Sequence, residues 1–292
     1  MEDISVIVPT FNRALVLKKA IDSIICQTHQ DFELIVVDDG STEETKELIS
    51  KYKQKINPST MLRVDAERSR NIKYIYQKNK GPSSARNRGI RESRAKFIAF
   101  LDSDDWWTED KLEIQLKAMQ ENPDYLISHT QEVWYRSGKL LNQKEKHKKF
   151  SGFIFDRCLS ICAVSMSTVM VKRELLEKVG LFDESLPCCE DYDFWLRVSV
   201  KFPVLLIDKP LTLKDGGRPD QVSSIYARGM DKFRIKSIKR LLEENSLDRQ
   251  QRALALSELE KKCRIYGEGC IKHGRKEEGE YYLNLNLHMS RE

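Results

Sequence analysis

The run Phe97-Ile98-Ala99-Phe100-Leu101 stops in Asp102-Ser103-Asp104-Asp105, so an apolar stretch of strand length ends in three carboxylates within four residues. Negative charge at that density is costly in a folded interior unless a cation neutralises it. Carboxylate oxygens are hard ligands, and Mg²⁺ or Mn²⁺ typically binds through one or two of them together with the phosphates of a substrate. The chemistry these residues suit is the metal-assisted handling of a diphosphate. Two other strand-like runs end in polar residues of the same kind, Ile4 to Val8 before Thr10 and Asn12, and Phe32 to Val37 before Asp38-Asp39. Glu190-Asp191 forms a separate acidic pair in the first turn of a predicted helix, where the helix dipole favours negative charge without any further role.

The elements that position these residues alternate. Ile4 to Val8 is followed by apolar residues at helical spacing (Leu17, Ala20, Ile21, Ile24, Ile25), and Phe32 to Val37 by a helix for which Ser41 and Glu44 have capping-box spacing. Lys53 to Arg70 reads as a polar loop insertion before the strand Ile72 to Tyr76, and Lys78 to Gly89 reads as a loop entering a helix with Pro82 in its first turn. Strand-helix alternation over about a hundred residues predicts a mostly parallel sheet with helices on both faces, and such sheets bind ligands at the carboxyl ends of their strands. One crevice then gathers Thr10, Asn12, Asp38, Asp39, Asp102 and Asp104. For Asn12, Ser41 and Thr108 helix capping is the plainer reading.

Beyond that crevice the pattern is less regular. Trp106-Trp107 and Thr108 are expected to open a helix, and Tyr125 to Tyr135 and Thr168 to Val171 to form strands. Gly138 and the basic run Lys139 to Lys149 suggest an exposed hairpin or loop. Arg173 to Val179 reads as a short helix closed by Gly180, and Val204 to Ile207 as one further strand. Leu213 to Gln221 is expected to be a loop. Charged helices are predicted over Tyr226 to Glu244, Gln250 to His273 and Lys276 to about His288. Within the last two, Cys263 to His273 and Glu277 to Leu287, joined at Gly274, suggest a single tetratricopeptide-type hairpin, read as a helical cap or an oligomer contact.

Bulk properties exclude several classes. With 40% hydrophobic and 33% charged residues the composition is globular, and no apolar stretch is long enough for a bilayer span. The start, Met1-Glu2-Asp3, has neither the basic region nor the apolar region of a signal peptide, and seven cysteines lack metal-site spacing, so reduced thiols and a cytoplasmic location are expected. The net charge of +5 points to an anionic ligand or peripheral association at the inner face of the membrane, and not to nucleic-acid recognition.

Val6-Ile7-Val8-Pro9-Thr10-Phe11-Asn12-Arg13, Val36-Val37-Asp38-Asp39-Gly40-Ser41, Gly81 to Asn87, Leu101-Asp102-Ser103-Asp104-Asp105 and Glu190-Asp191 together resemble the family 2 glycosyltransferases in order and approximate spacing. Each motif alone says little; their succession is specific, and it covers about residues 1–225. The resemblance implies a three-layer α/β/α nucleotide-diphospho-sugar transferase fold (glycosyltransferase A type) with a Rossmann-like mixed sheet. Residues 1–224 would form the catalytic domain, divided into a nucleotide-binding half (1–105) and an acceptor half (106–224), and 225–292 a helical C-terminal extension.

It further implies that Asp39, with Pro9 or Thr10, meets the base of a nucleotide sugar, most simply a UDP-sugar, with Asn12 and Asp38 nearby. Asp102 and Ser103 approach the ribose, and Asp104, with Asp102, holds Mn²⁺ or Mg²⁺ at the diphosphate. Lys80, Arg86 and Asn87 open a helix, where cations favour the phosphates. Asp191 would be the general base that deprotonates an acceptor hydroxyl for inverting displacement, and Glu190 would orient it. The acceptor would be a glycan or a lipid-linked sugar in cell-surface polysaccharide synthesis.

Many relatives place a metal-binding His after the last strand, whereas this chain reads Leu213-Lys214-Asp215-Gly216-Gly217-Arg218. Lys214 or Arg218 then stabilises the diphosphate directly, or Asp215 binds metal. The Gln-x-x-Arg-Trp signature of processive synthases is absent, which favours addition of one sugar. The competing readings are a catalytically silent nucleotide-sugar-binding scaffold and a sugar nucleotidyltransferase. The latter usually needs a Gly-rich basic loop that Pro9 to Arg13 does not supply, and a dinucleotide-binding protein would need a Gly-x-Gly-x-x-Gly that is missing here.

Overall fold

The computed structural model describes residues 3–54, 72–136, 138–244 and 246–289. Most of the expected loop insertion between Lys53 and Arg70 lies outside them. The chain begins β1 (Ile4–Thr10), α1 (Ala14–Ile25), β2 (Phe32–Asp38), α2 (Thr45–Gln54), β3 (Ile72–Tyr76), α3 (Pro82–Glu92) and β4 (Phe97–Phe100). There follow β5 (Asp105–Trp107), α4 (Lys111–Glu121), β6 (Ile127–Arg136), β7 (Lys139–Leu141), α5 (Phe155–Ser160), β8 (Val169–Lys172), α6 (Arg173–Val179) and α7 (Glu190–Ser199). The chain closes with β9 (Leu205–Gly216), α8 (Val222–Ile225), α9 (Met230–Glu243), α10 (Arg249–Lys272) and α11 (Lys276–Met289).

All strands join one sheet in the order β3-β2-β1-β4-β8-β6-β9-β5, with β7 paired to β6 as a hairpin turning at Gly138. The pairs from β3 to β4 are parallel, as alternation of strand and helix requires. The second half is not: β8 runs antiparallel to β4 and to β6, and β9 antiparallel to β5. The sheet is therefore mixed, because those later strands are not separated by crossover helices of the first half's kind.

Side-chain alternation assigns the two faces. Ile4, Val6 and Val8 pack with Leu17, Ile21 and Ile24 of α1 and Leu112, Leu116 and Met119 of α4. Their neighbours Ile7, Ile98 and Phe100 face α3, α5, α6 and α7 on the other side. The core on that second face continues without interruption into Ile235, Ile238, Leu259, Tyr266 and Tyr282, so the helices after residue 225 share one hydrophobic core with residues 154–204. Where α10 and α11 cross, a Cβ on Gly279 would stand 2.7 Å from the Gly267 carbonyl oxygen, and one on Gly267 2.9 Å from the Gly279 oxygen. Only glycine permits that approach, so the pair of helices is a tight hairpin.

Three local expectations need correction. Trp106-Trp107 does not open a helix but forms β5, because both sides of that segment find partners: Trp106 pairs with Leu213 of β9, and the Trp107 indole donates to the Ser167 carbonyl at 2.7 Å. Leu213 to Gly216 is strand and not loop, since β9 extends to pair with β5 and with β6 through Arg136. None of Asn12, Ser41 and Thr108 caps a helix with its side chain. Asn12 sits in the left-handed region (φ 49°) with Oδ1 accepting the Thr42 N–H at 2.9 Å, while its own N–H donates to Ser41 Oγ at 2.9 Å. The two residues tie the β1–α1 and β2–α2 loops together. The Thr108 hydroxyl donates to Asp110 at 2.8 Å, and Asp110 precedes α4 without capping it. Among the described residues no helix is long and apolar enough to cross a membrane, and the seven cysteines are all free thiols.

Candidate active site

Because β2, β1 and β4 are neighbours and parallel, their carboxyl ends lie side by side, and Asp38, Asp39, Thr10 and Asp102 share one rim. On the β2 side the acidic pair is spent on the protein. Asp38 accepts the Ser41 N–H at 2.8 Å and the Tyr74 hydroxyl at 2.7 Å; burial and that carboxylate together push the Tyr74 phenol well up from its usual pKa. Asp39 accepts from Gln77 Nε2 (2.7 Å) and from the backbone N–H groups of Lys80 (3.0 Å) and Gly81 (2.7 Å), which fixes the loop into α3. Gly40 must turn there with φ 89°, and a Cβ on it would stand 2.8 Å from Asn79 N. Thr10 Oγ1 is buried without a hydrogen-bond partner among the described residues, and the Lys80 side chain is exposed. Pro9 is half-buried in β1, Ser103 is buried, and neither Asn87 nor Arg86 reaches outward from α3. The Asn87 amide is spent on Phe182 and Glu184, at 2.9 to 3.0 Å.

Arg86 lies at the centre instead. Its guanidinium forks, Nη1 donating to Glu190 Oε1 at 2.6 Å and Nη2 to Asp102 Oδ1 at 2.8 Å, so it joins the strand-end carboxylates to the Glu190-Asp191 pair. Burial opposes its charge, but Asp102 and Glu190 more than offset that and hold the guanidinium above its usual pKa. Burial likewise opposes ionisation of Asp102, yet Arg86 and then Lys214 keep it below the usual carboxylate range. Glu190 is shifted the other way, because burial there is only partly offset by Arg86.

Asp104 is approached by three donors, all on Oδ2: Arg218 Nη2 at 2.6 Å, Gln221 Nε2 at 2.9 Å and Arg13 Nη1 at 3.1 Å. Arg13 and Arg218 also reach Asp220, at 3.3 and 3.2 Å, so the segment from Gly217 to Gln221 is pinned over the carboxylate. Asp105 is separate. Facing Lys214 across the β5–β9 pair, it lies 3.4 Å from that ammonium and accepts the Ser167 hydroxyl at 2.5 Å; burial, against the pull of Lys214, pushes its carboxyl up to about 7. Lys214 also donates to Ser165 at 2.8 Å. Of the possible replacements for the missing His, Arg218 reaches Asp104, whereas Lys214 serves Asp105.

Asp191 is the second residue of α7, which Glu190 opens after Cys189, a non-glycine residue in the left-handed region (φ 61°) that sets the turn into the helix. One Asp191 oxygen accepts the Tyr192 N–H at 2.7 Å and the other the Cys162 thiol at 3.1 Å. Asp102 and Asp191 line the same cavity, of about 320 Å³, with Lys214, Glu132, Lys149 and Trp134. A larger cavity of about 610 Å³ lies among the C-terminal helices, and none of Asp102, Asp104 and Asp191 lines it. The sequence singled out Arg13 only as part of a motif, and Gln221, Ser167, Glu132, Lys149 and Trp134 not at all as site residues. They come from the irregular half, where no strand-end pattern marks them.

The donor set tests the implied metal. Among the described residues no group of three or more His, Cys, Asp or Glu side chains is arranged to hold an ion. Asp102 and Asp104 supply hard oxygens but too few, which fits Mg²⁺ or Mn²⁺ only where a substrate's phosphates and water complete the shell.

A family model described as Glycosyl transferase family 2 matches residues 5–180. The chain is 38% identical over 215 residues to an uncharacterized glycosyltransferase of Rickettsia felis, a match that covers 72% of this chain and 32% of that protein. It thus spans about a third of the length of that relative. It is 30% identical over 199 residues to the putative teichuronic acid biosynthesis glycosyltransferase TuaG of Bacillus subtilis, covering 68% of this chain and 72% of that one. In three dimensions it resembles residues 1–349 of S. aureus TarS in complex with UDP-GlcNAc (TM-score 0.65, 18% identity, 100% of this chain and 92% of that). It also resembles the mannosyltransferase PcManGT of Pyrobaculum calidifontis in complex with GDP-Man and Mn²⁺ (TM-score 0.63, 14% identity, 98% and 84%). These likenesses show an α/β fold of the nucleotide-diphospho-sugar transferase type with a helical C-terminal region.

Proposed function

The chain belongs to glycosyl transferase family 2, and from that premise we propose that it moves one sugar from a nucleotide-diphosphate donor to an acceptor hydroxyl with inversion. The observation that carries this reading is the single cavity lined by both Asp102 and Asp191, which lets a sugar held from the diphosphate side be met by a base from the other. In this reading Asp191 takes the acceptor proton, supported by its place on that cavity, and Glu190, bonded to Arg86, holds the turn from which Asp191 projects. UDP is the favoured nucleotide, by likeness to the TarS complex, and the similarity to TuaG favours a glycan or lipid-linked acceptor in cell-surface polysaccharide synthesis. A detergent-free transfer assay with a donor panel, reading the anomeric configuration of the product by NMR, tests the proposal; a retained configuration would reject it.

Asp104 and Asp102 would hold Mn²⁺ or Mg²⁺. When bound, the ion supplies Lewis-acid neutralisation of charge on the departing diphosphate. Asp104→Asn should therefore abolish the stabilisation of the protein by UDP plus Mn²⁺ in a thermal melt, although the unliganded variant, which weakens the pairs with Arg13 and Arg218, stays folded and melts somewhat lower. Melting shifts equal to those of the unmodified protein would remove Asp104 from the metal site.

Arg218 and Gln221 stand on the oxygen of Asp104 that a metal would claim. Donor binding then requires the Gly217–Gln221 segment to release Asp104, and Gly217 (φ 90°) gives it a hinge. Once freed, the Arg218 fork suits a phosphate. Arg218→Ala is expected to weaken UDP binding several-fold, and Arg218→Lys to restore it only in part. Isothermal titration decides: equal affinities would mean that Arg218 serves Asp104 and Asp220 alone.

A further inference from the structure

Glu132, on β6, has a side chain only 4% exposed, and its Oε2 is buried with no hydrogen-bond donor among the described residues. The other oxygen accepts from the Trp134 indole at 2.9 Å. Lys149 Nζ stands 3.7 Å from Oε2, near enough for an ion pair and too far for a hydrogen bond. Burial disfavours the ionised form, but Lys149 and then Lys214, helped by the Trp134 indole and the neighbouring Ser165 hydroxyl, outweigh it and hold Glu132 below the usual carboxylate range. The group is thus an acceptor only, and with about four lone-pair sites it has capacity left for a further donor at Oε2. A buried acceptor left unmet is costly, and this one lines the cavity that Asp102 and Asp191 share.

The rest of the wall has little unused polarity. Lys149 faces Glu132 and Thr168, Lys214 is taken by Asp105 and Ser165, and Lys148 stands 3.6 Å from Glu145. The Trp134 ring packs against the His147 imidazole with centroids 4.8 Å apart and planes inclined by 57°, and both line the cavity, giving it an aromatic side. One hydrogen-bond acceptor beside an aromatic wall suits a ring that carries hydroxyl hydrogens on its edge and C–H groups on its face. In the glycosyl-transfer reading, on which this inference rests, the ring between the diphosphate at Asp102 and the base at Asp191 is the one being transferred.

We propose that Glu132 Oε2 recognises a hydroxyl of the transferred sugar, and that the donor is therefore a neutral hexopyranose nucleotide and not a hexuronate. A neutral ring supplies the missing hydrogen. A uronate also has ring hydroxyls, but its carboxylate adds a further negative charge to a cavity already lined by Asp102, Glu132 and Asp191, whose lysines all face carboxylates.

Titration calorimetry in the presence of Mn²⁺ tests this with UDP, GDP, UDP-glucose, UDP-GlcNAc, GDP-mannose and UDP-glucuronate. At least one neutral sugar nucleotide should bind the unmodified protein roughly tenfold or more tighter than its bare nucleoside diphosphate, the range for a hydrogen bond to a charged group. UDP-glucuronate should gain nothing over UDP. In Glu132→Gln the amide oxygen is claimed by the Trp134 N–H, so an NH₂ group faces the cavity; it can donate weakly to the hydroxyl oxygen but cannot accept the hydroxyl hydrogen, and the charge that strengthened the bond is gone. The sugar's advantage should fall to near unity, with affinity for UDP or GDP kept within about twofold. Glu132→Asp keeps the charge beside Lys149 but withdraws the oxygen, and it should lose the same advantage; it carries the test if the Gln variant does not fold.

An unchanged ratio of sugar nucleotide to bare nucleotide in both variants overturns the inference. So does a tighter grip on UDP-glucuronate than on UDP, or no gain from any neutral sugar. If the unmodified protein binds no nucleotide at all, the glycosyl-transfer reading falls first, which is a distinct result.

Discussion

Asp191→Asn is expected to cut turnover roughly a hundredfold or more, the range for a lost general base, while donor affinity stays near that of the unmodified protein. The substitution is close to isosteric: an amide oxygen can still accept the Tyr192 N–H that one carboxylate oxygen accepts at 2.7 Å, so the first turn of α7 keeps its shape. What disappears is a site for the proton of the attacking hydroxyl. Because Asp104 is held by Arg13, Arg218 and Gln221, and Asp191 by the Tyr192 N–H and the Cys162 thiol, the two share no partner, and no contact at the diphosphate side should change with Asp191. Steady-state kinetics paired with UDP titration separates the two effects. Turnover unchanged within a factor of about two would pass the role to Glu190 or Asp193. Asp193 is a poor substitute, since it is buried and both of its oxygens are paired with cations, Arg197 and Arg240, whereas Asp191 meets only neutral donors. Lost donor affinity with intact turnover would place Asp191 on the donor side.

How far the site was legible depends on the half of the chain. In the first hundred residues each strand is a β-branched or aromatic run that ends in polar residues, and parallel order follows from the helices between them, so the shared rim of Thr10, Asp38 and Asp102 follows from the pattern. The second half resists because its contacts are long-range. Trp106-Trp107 carries no local signal that separates a strand from a helix start, and only pairing with Leu213, more than a hundred residues later, decides it. Glu132 and Lys149 lie on a strand and in a loop whose alternation with polar neighbours reads as surface; burial by Thr168 and the β9 pairing is invisible in the chain. Arg86 is an instructive case. Placed at a helix start, it reads as a cation facing phosphate, but Gly81 and Pro82 begin the helix early enough that residue 86 lies a turn inside it and points into the core, toward Glu190.

That position makes Arg86→Met the substitution with the largest expected effect on stability. The guanidinium is buried, and it satisfies two carboxylates that belong to different halves of the domain, Asp102 after β4 and Glu190 at the start of α7. Methionine fills much of the volume and leaves Glu190, which is 8% exposed, with a buried charge and no partner. Removing one partner of a buried ion pair costs about 3–5 kcal/mol, against a total stability of about 5–15 kcal/mol for a typical domain. At roughly 2–4 °C per kcal/mol, the melting temperature should fall by on the order of 10 °C. The signature of this cause is rescue. Because the penalty comes from the stranded carboxylates and not from lost packing, Arg86→Met with Glu190→Gln should recover part of the loss, whereas Glu190→Gln in the unmodified background should itself destabilise by unpairing the guanidinium. Thermal melts of the four proteins in the cycle decide it. Additive losses would mean that Arg86 and Glu190 do not couple, and the bridge between the strand-end carboxylates and the base would then have no energetic content.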